Sequence, residues 1–352
     1  MVTVIVLVAL LIVLGAIQTQ LHLRRVRRVP VRILVNGTRG KTTVTRMLAS
    51  ALKASGMTVV AKTTGSEAAF VLPDGEIRAV NRTFGPSILR ESIQVFRLAS
   101  RHGADAVVME CMAVRPENQI LISSMVRPTV SIITNARIDH VDAMGDSIES
   151  TCRVLRLSVP TGSRFYTSDQ CFSDDGDAVI VDFGDSPNER NRALVLQVLK
   201  DMGVDLEAAE PGIDAYVPDM GLVGPFMVNG HRVINAFAAN DRQSAEEILR
   251  SVGDLSEVTV VYNNRADREF RLRFFSDVFS AFNCPNVIVV GDHIRKCSRY
   301  IFRKAPGCRV VPFRGSEEEL LAQCGATVVC MGNIKGSGIS LIQYCQSCGE
   351  EV

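Results

Sequence analysis

The chain has no tryptophan, and phenylalanine and tyrosine bring its aromatic content to only 6%. That scarcity gives neither a stacking platform for single-stranded nucleic acid nor an aromatic groove for sugars. An excess of one charge is also missing. The formal net charge is +1 over 352 residues, so no global electrostatic attraction to nucleic acid is expected. Ten cysteines are present without a repeated framework, most of them inside apolar runs such as Val328-Val329-Cys330-Met331. This pattern predicts reduced thiols that behave as small hydrophobes. Cys345-Gln346-Ser347-Cys348 is a lone Cys-x-x-Cys pair with no second pair at zinc spacing. No Ser-His-Asp or Cys-His arrangement stands out.

Residues 1 to 21 lack any charged side chain, and Val2 to Ile17 is almost continuously aliphatic. Arg24, Arg25, Arg27, Arg28 and Arg32 follow. About 20 apolar residues span a bilayer core as a helix, so residues 1–22 are expected to be a single transmembrane anchor. The cations come after the apolar run, which predicts a cell-membrane protein whose body lies in the cytoplasm. A cleaved signal peptide would place its charges first. A helix lying flat on the membrane would need a polar face, which this segment does not have.

From residue 31 onward, apolar runs of strand length alternate with helical patterns, as in α/β folds. A hairpin is expected over 70–80, with its turn at Pro73-Asp74-Gly75. Residues 205–230 are rich in Gly and Pro and form the best candidate boundary. The expected domains are 31–228, a P-loop ATP-binding domain, and 229–352, a smaller Rossmann-like α/β domain.

Residues 31 to 43, Val-Arg-Ile-Leu-Val-Asn-Gly-Thr-Arg-Gly-Lys-Thr-Thr, are the most informative stretch. A β-branched run stops at Asn36-Gly37, and a helical pattern begins after Gly40. Strand, Gly-rich turn and helix in that order are the setting of a phosphate-binding loop. The longest form of that loop wants a glycine where Val35 stands; the shorter Gly-Thr-x-Gly-Lys-Thr-Thr remains. Asn36, Gly37, Thr38, Arg39, Gly40, Lys41, Thr42 and Thr43 are therefore candidate nucleotide contacts. Lys41 would reach the β- and γ-phosphates of ATP, and the Thr42 hydroxyl would ligate Mg²⁺. Glu110 ends one buried strand, and Asn135 through His140 follow another. Ligands of parallel α/β sheets bind at such carboxyl ends. Thr42, Glu110 and His140 are the candidate metal ligands, with Lys41, Glu110 and His140 the candidate catalytic groups.

Gly37 to Thr43, the strand-end Glu110 and Thr134-Asn-Ala-Arg-Ile-Asp-His-Val-Asp142 together resemble the central domain of the Mur ligase superfamily. The resemblance implies ATP-dependent joining of a carboxylate to an amine through an acyl phosphate. Asn188-Glu-Arg-Asn-Arg-Ala-Leu194 is similar to the superfamily's helix near adenine, which assigns Asn191 to the nucleotide. A looser match over Asn235 to Ser244 assigns Asn235, Asn240 and Asp241 to the nucleotide side. One branch, the ligase subunits of bacterial poly-γ-glutamate synthases, fits best, by the N-terminal membrane segment, the length and Glu110-Cys-Met-Ala-Val-Arg-Pro-Glu117. That branch implies glutamate and the growing polymer as substrates, and other membrane subunits as partners. The lysine that Mur ligases place after the motif histidine is absent; Leu155 and Arg156 occupy that region, leaving one or two Mg²⁺ ions open.

Arginines near the strand ends suit an anionic substrate, because guanidinium forks bind carboxylates in bidentate fashion. Arg82 and Arg115 in the first domain, and Arg265 and Arg268 in the second, are the candidate substrate contacts. Two readings from other classes stay open at this point. One is a membrane-tethered nucleotide-binding regulator or scaffold, the other a P-loop kinase of a small metabolite.

Overall fold

The computed structural model describes residues 1–65, 68–221, 223–239 and 242–352, with the side chains of Asp267 and Glu269 outside the description. The chain divides into two compact units, Met1–Val217 and Pro218–Val352. The sequence placed the division at 228/229. It falls earlier because Phe226–Val228 is a strand that pairs antiparallel with His231–Asn235, which ties it to the second unit.

The first unit is built on eight strands: β1 (Val31–Asn36), β2 (Val59–Thr63), β3 (Ala69–Val71), β4 (Ile77–Ala79), β5 (Ala106–Glu110), β6 (Val130–Ile133), β7 (Arg164–Thr167) and β8 (Ala178–Ile180). Their order is β4-β3-β2-β5-β1-β6-β7-β8. All neighbours are parallel except in the β2-β3-β4 ribbon, which contains the expected hairpin. β1 lies in the interior, with Val35 opposite both Glu110 and Ile132. Its alternation is apolar on both faces because both are covered. Ile33 and Val35 pack with Val44, Leu48 and Leu52 of the helix Lys41–Ala54. Leu34 faces the other way, among Phe96, Val107 and Met109.

The division at 217/218 falls inside the Gly- and Pro-rich 205–230, which also holds a helix, Leu206–Asp214, with Pro211 and Gly212 inside it. Gly212 breaks no turn; a Cβ there would run into the Ser50 carbonyl, so the glycine allows this helix to lie against Lys41–Ala54. The cysteines are not all free, since Cys152 and Cys171 form a disulfide. The N-terminal helix does not stop near residue 22 but runs from Val2 to Arg28. Residues 2–21 are exposed, whereas His22 and Val26 are buried against the first unit. It is one helix long and apolar enough to cross a membrane, with a mean hydropathy of 2.7 over an 18-residue window.

The second unit holds β9 (Phe226–Val228), β10 (His231–Asn235), β11 (Val258–Asn264), β12 (Asn286–Gly291), β13 (Arg309–Pro312), β14 (Thr327–Gly332) and β15 (Glu350–Glu351). The order is β13-β12-β11-β14-β10-β9-β15. β10 to β14 form a parallel core, with β9 and β15 antiparallel at one end. Val260, Tyr262, Phe275, Phe279 and Val289 fill one face of this sheet.

Candidate active site

β1 delivers the chain to Asn36, and the turn that follows needs glycine at two places. Gly37 has φ +126°, and a Cβ on it would collide with Thr134 Oγ1. Gly40 has φ +80°, and a Cβ on it would come within 2.8 Å of Asn191 Oδ1. The Asn191 side chain therefore lies beside the loop. Gly40 is the N-cap of Lys41–Ala54 and supplies no side-chain cap. The helices that begin after Ser87, Ser147 and Ser186 are each capped by that serine. The uncapped start leaves backbone N–H groups and the positive end of the helix dipole for an anion.

The loop is held from the β6 side. Thr38 N–H donates to the Asn135 carbonyl at 3.0 Å. Thr38 Oγ1 and Arg39 N–H donate to Asn135 Oδ1 at 2.7 and 3.0 Å. Thr134 Oγ1 and Asn135 Nδ2 donate to the Arg39 carbonyl at 2.5 and 3.1 Å. Asn36 is buried, and its Nδ2 donates to Gln119 Oε1 and Ser158 Oγ, both at 2.9 Å. Its Oδ1 accepts from Gly37 N–H at 2.8 Å. This side chain thus sets the strand-to-loop turn, whereas the sequence expected a nucleotide contact.

Lys41 Nζ donates to the carbonyls of Gly37 and Thr38 at 2.6 and 3.2 Å. Burial lowers its pKa, while Glu110 and Asp139 act in the opposite direction. A phosphate at the loop would offer this ammonium a full negative charge in place of carbonyl dipoles. Glu110 is 2% exposed. It accepts from Thr42 Oγ1 at 3.0 Å, from Thr64 N–H at 2.6 Å, and from Thr64 Oγ1. Thr42 and Glu110 present hydroxyl and carboxylate oxygens side by side, the hard donor set that Mg²⁺ prefers beside phosphate oxygens. The residues present fit a magnesium nucleotide.

His140 sits at φ +48° as the N-cap of the short helix Val141–Met144 and is exposed. Its Nε2 is 4.0 Å from Asp139 Oδ1, and Asp139 Oδ2 is 3.5 Å from Arg39 Nη1. The pair therefore flanks the loop, and none of its described contacts reaches Glu110.

Arg82 takes a different partner from the one the sequence assigned. Its fork closes on Glu91, with Nε and Nη2 each 2.9 Å from a carboxylate oxygen. The second cation on Glu91 is Lys62 at the end of β2, wholly buried, with Nζ 2.8 Å from Oε2. Burial pushes the Lys62 pKa down and Glu91 opposes this. Burial alone would raise the Glu91 pKa, but Arg82 and Lys62 together bring it below 4.5. Arg115 is exposed at the start of Pro116–Val126. In the second unit, Arg265 precedes and Arg268 ends the 3₁₀ turn Ala266–Arg268 after β11, and both are half-buried. Asn235 donates to the carbonyls of Met220 and Val223 at 2.8 and 3.0 Å, tying β10 to its own approach segment. Asn240 and Asp241 lie outside the described residues. Sequence reasoning missed Thr64, Gln119 and the Lys62–Glu91 pair. The one signal was a charged residue, Lys62, inside the strand Val59–Thr63.

Two family models match the chain. One describes the Mur ligase middle domain and covers residues 35–152. The other describes the poly-gamma-glutamate synthase CapB C-terminal domain and covers 223–348. The chain thus carries a Mur ligase middle domain and a CapB-type C-terminal domain, and this similarity, with a two-sheet fold like that of Mur ligases and folylpolyglutamate synthases, supports an ATP-dependent amide ligase. Over 95% of both proteins it is 28% identical to the PGA synthase CapB of Bacillus subtilis strain 168. It is 29% identical to the capsule biosynthesis protein CapB of Bacillus anthracis, over 80% of this chain and 68% of that one. Among solved structures, the folylpolyglutamate synthase/dihydrofolate synthase of Yersinia pestis, complexed with AMPPNP and Mn ion, has TM-score 0.67 and 14% identity. That match covers 94% of this chain and 92% of that one. MurF of Acinetobacter baumannii has TM-score 0.61 and 14% identity over 93% and 78% of the two chains.

Proposed function

We propose that the chain is the ligase of a poly-γ-glutamate synthase. It activates a glutamyl carboxylate as an acyl phosphate at the expense of ATP and joins it to the amine of glutamate. The observation that carries this reading is the Thr42–Glu110 oxygen pair at 3.0 Å beside the uncapped helix start and Lys41. Lys41 neutralises charge on the transferring phosphoryl group. Asn135 and Thr134 hold the loop so that its N–H groups keep their direction. Glu110, fixed by Thr64, and Thr42 would hold Mg²⁺, which would supply positive charge to offset that of the phosphates. Asp139 borders the loop at Arg39 with His140 next to it, and Asn191 borders Gly40. Arg115, Arg265 and Arg268 offer cations to the carboxylates of acceptor and polymer. The apolar helix 2–21 followed by arginines supports a single-pass cell-membrane protein with cytoplasmic catalytic units, working beside other membrane subunits.

The test is ATP turnover by detergent-extracted protein with and without glutamate, with hydroxylamine added as a trap. Glutamate-dependent phosphate release accompanied by glutamyl hydroxamate is expected. Phosphorylated glutamate analogues without hydroxamate, or turnover indifferent to glutamate in the presence of partner subunits, would overturn the reading.

A further inference from the structure

The chain as a whole carries net charge +1, yet residues 293–314 contain seven lysines and arginines and no aspartate or glutamate. This segment is the helix Ile294–Lys304 followed by β13, the edge strand of the second sheet. Ile294, Cys297, Ser298 and Ile301 are buried toward the sheet, so the cations are forced outward. Arg295, Arg299, Arg303, Lys304, Arg309 and Arg314 are all exposed, and none has a carboxylate at ion-pairing distance among the described residues. Elsewhere exposed arginines do find carboxylates, as Arg242 and Arg250 do with Glu246. A groove of about 560 Å³ opens at the head of the stripe, lined by His293, Arg295, Lys296, Pro312 and Arg314. Phe302, 57% exposed, stands between the cations of the helix.

We propose that this stripe is a track for the polyanionic product, the growing poly-γ-glutamate chain, distinct from the place where a single acceptor glutamate reacts. The proposal rests on the ligase reading for the identity of the polymer. The chemistry matches on two counts. Each γ-linked residue carries one free α-carboxylate, so the six exposed cations that lack a carboxylate at ion-pairing distance meet a row of charges. Between carboxylates the polymer has two methylenes, and an exposed phenylalanine ring offers them an apolar surface. Cations without carboxylate partners keep their long-range field, which a flexible polyanion exploits without fixed geometry. An anionic phospholipid surface is the rival occupant. The groove at the carboxyl end of β12 and β13, where α/β sheets take ligands, favours a polymer over a flat surface.

The test titrates full-length, detergent-solubilised protein with fluorescently labelled poly-γ-glutamate of several lengths and follows anisotropy against salt. Wild-type affinity is expected to rise with polymer length and fall with salt. The R299Q/R303Q/K304Q variant should bind long polymer about tenfold more weakly, with a flatter salt dependence. An unchanged thermal unfolding transition checks its fold, and the single R303Q and K304Q variants, each weakened about twofold, replace it if it does not fold. Equal polymer affinity in the variants overturns the track. So does a result in which they lose binding to phosphatidylglycerol vesicles but keep polymer. Polymer binding needs no turnover, so these outcomes are separate from the hydroxamate assay that decides the ligase reading.

Discussion

The carboxyl edge of the first sheet and the outer helix and edge strand of the second treat their polar groups in opposite ways. At the carboxyl edge of the first sheet, Asn36, Thr38, Thr134, Asn135 and Glu110 are bonded to one another's loops within about one residue's reach. Along the edge of the second sheet, six cations stand exposed with no carboxylate at ion-pairing distance among the described residues. A bonded frame fixes direction, which transition-state stabilisation of a small, highly charged group requires. A stripe without fixed carboxylate partners at its six exposed cations fixes only sign, which suffices for a long flexible partner. The first edge is thus rigid where geometry matters, and the second is open where length matters.

Four measurements would break or sharpen that contrast. The largest effect is expected from Lys41→Ala. Glutamyl hydroxamate formation should fall about a thousandfold, because the variant loses the charge next to the transferring phosphoryl group. Thermal stability should hardly change, since Nζ bonds only loop carbonyls; retained turnover by a folded variant would sink the assigned role. Gly37→Ala comes next. It forces a Cβ onto Thr134 Oγ1 at a φ of +126°. Affinity for a non-hydrolysable ATP analogue should drop about a hundredfold, and stability by about 2 kcal/mol.

The buried Lys62–Glu91–Arg82 group gives the third. Lys62→Met should cost about 3 kcal/mol in denaturant unfolding, because Glu91 keeps only one of its two cations. The same group predicts a pH dependence. Glu91 titrates below its ordinary 4.5 in the folded chain, so the unfolded chain binds its proton first on acidification. Its contribution is full above 4.5 and is lost as pH falls through the lowered value. Melting temperature should fall steeply in that window, and the slope should flatten in Glu91→Gln. The smallest effect is expected in the second unit. Arg268→Gln should alter stability by less than about 0.5 kcal/mol, while glutamate affinity read from turnover weakens a few-fold. A large loss of stability would mean that this arginine belongs to a bonded frame after all.

The sequence made legible whatever depends on neighbours along the chain. The strand, the glycines and the helix of residues 31–54 are contiguous, so the phosphate loop could be read directly. Glu110 was visible because a carboxylate after Ala106–Met109 has no apolar reason to be there. Its partner Thr64 was not visible, since it comes after β2, and only the β2–β5 pairing brings it near. Arg82 looked free because Glu91, nine residues on, is the fourth residue past its helix's serine cap, and nothing in the spacing says that the fork closes there. Pro211-Gly212 read as a break because composition does not reveal that Ser50 leaves no room for a Cβ. Asn36 and Asn235 had the right residue type for ligands, but the structure turns both amides onto the protein.

The N-terminal helix has a consequence of its own. It passes from its exposed apolar stretch to the body without a loop, and His22 and Val26 lock its last turns. His22 Nε2 is 2.9 Å from the Met125 carbonyl, and its ring meets Phe96 edge-on at 5.6 Å. A loop would make the attachment a leash. A continuous helix makes it a mast, rising about 1.5 Å per residue and stepped into the first unit. A chain carried in a bilayer by such a mast has little slack. Tilting the span would tilt the nucleotide loop with it, and the distance of that loop from the lipid would be set by counting residues.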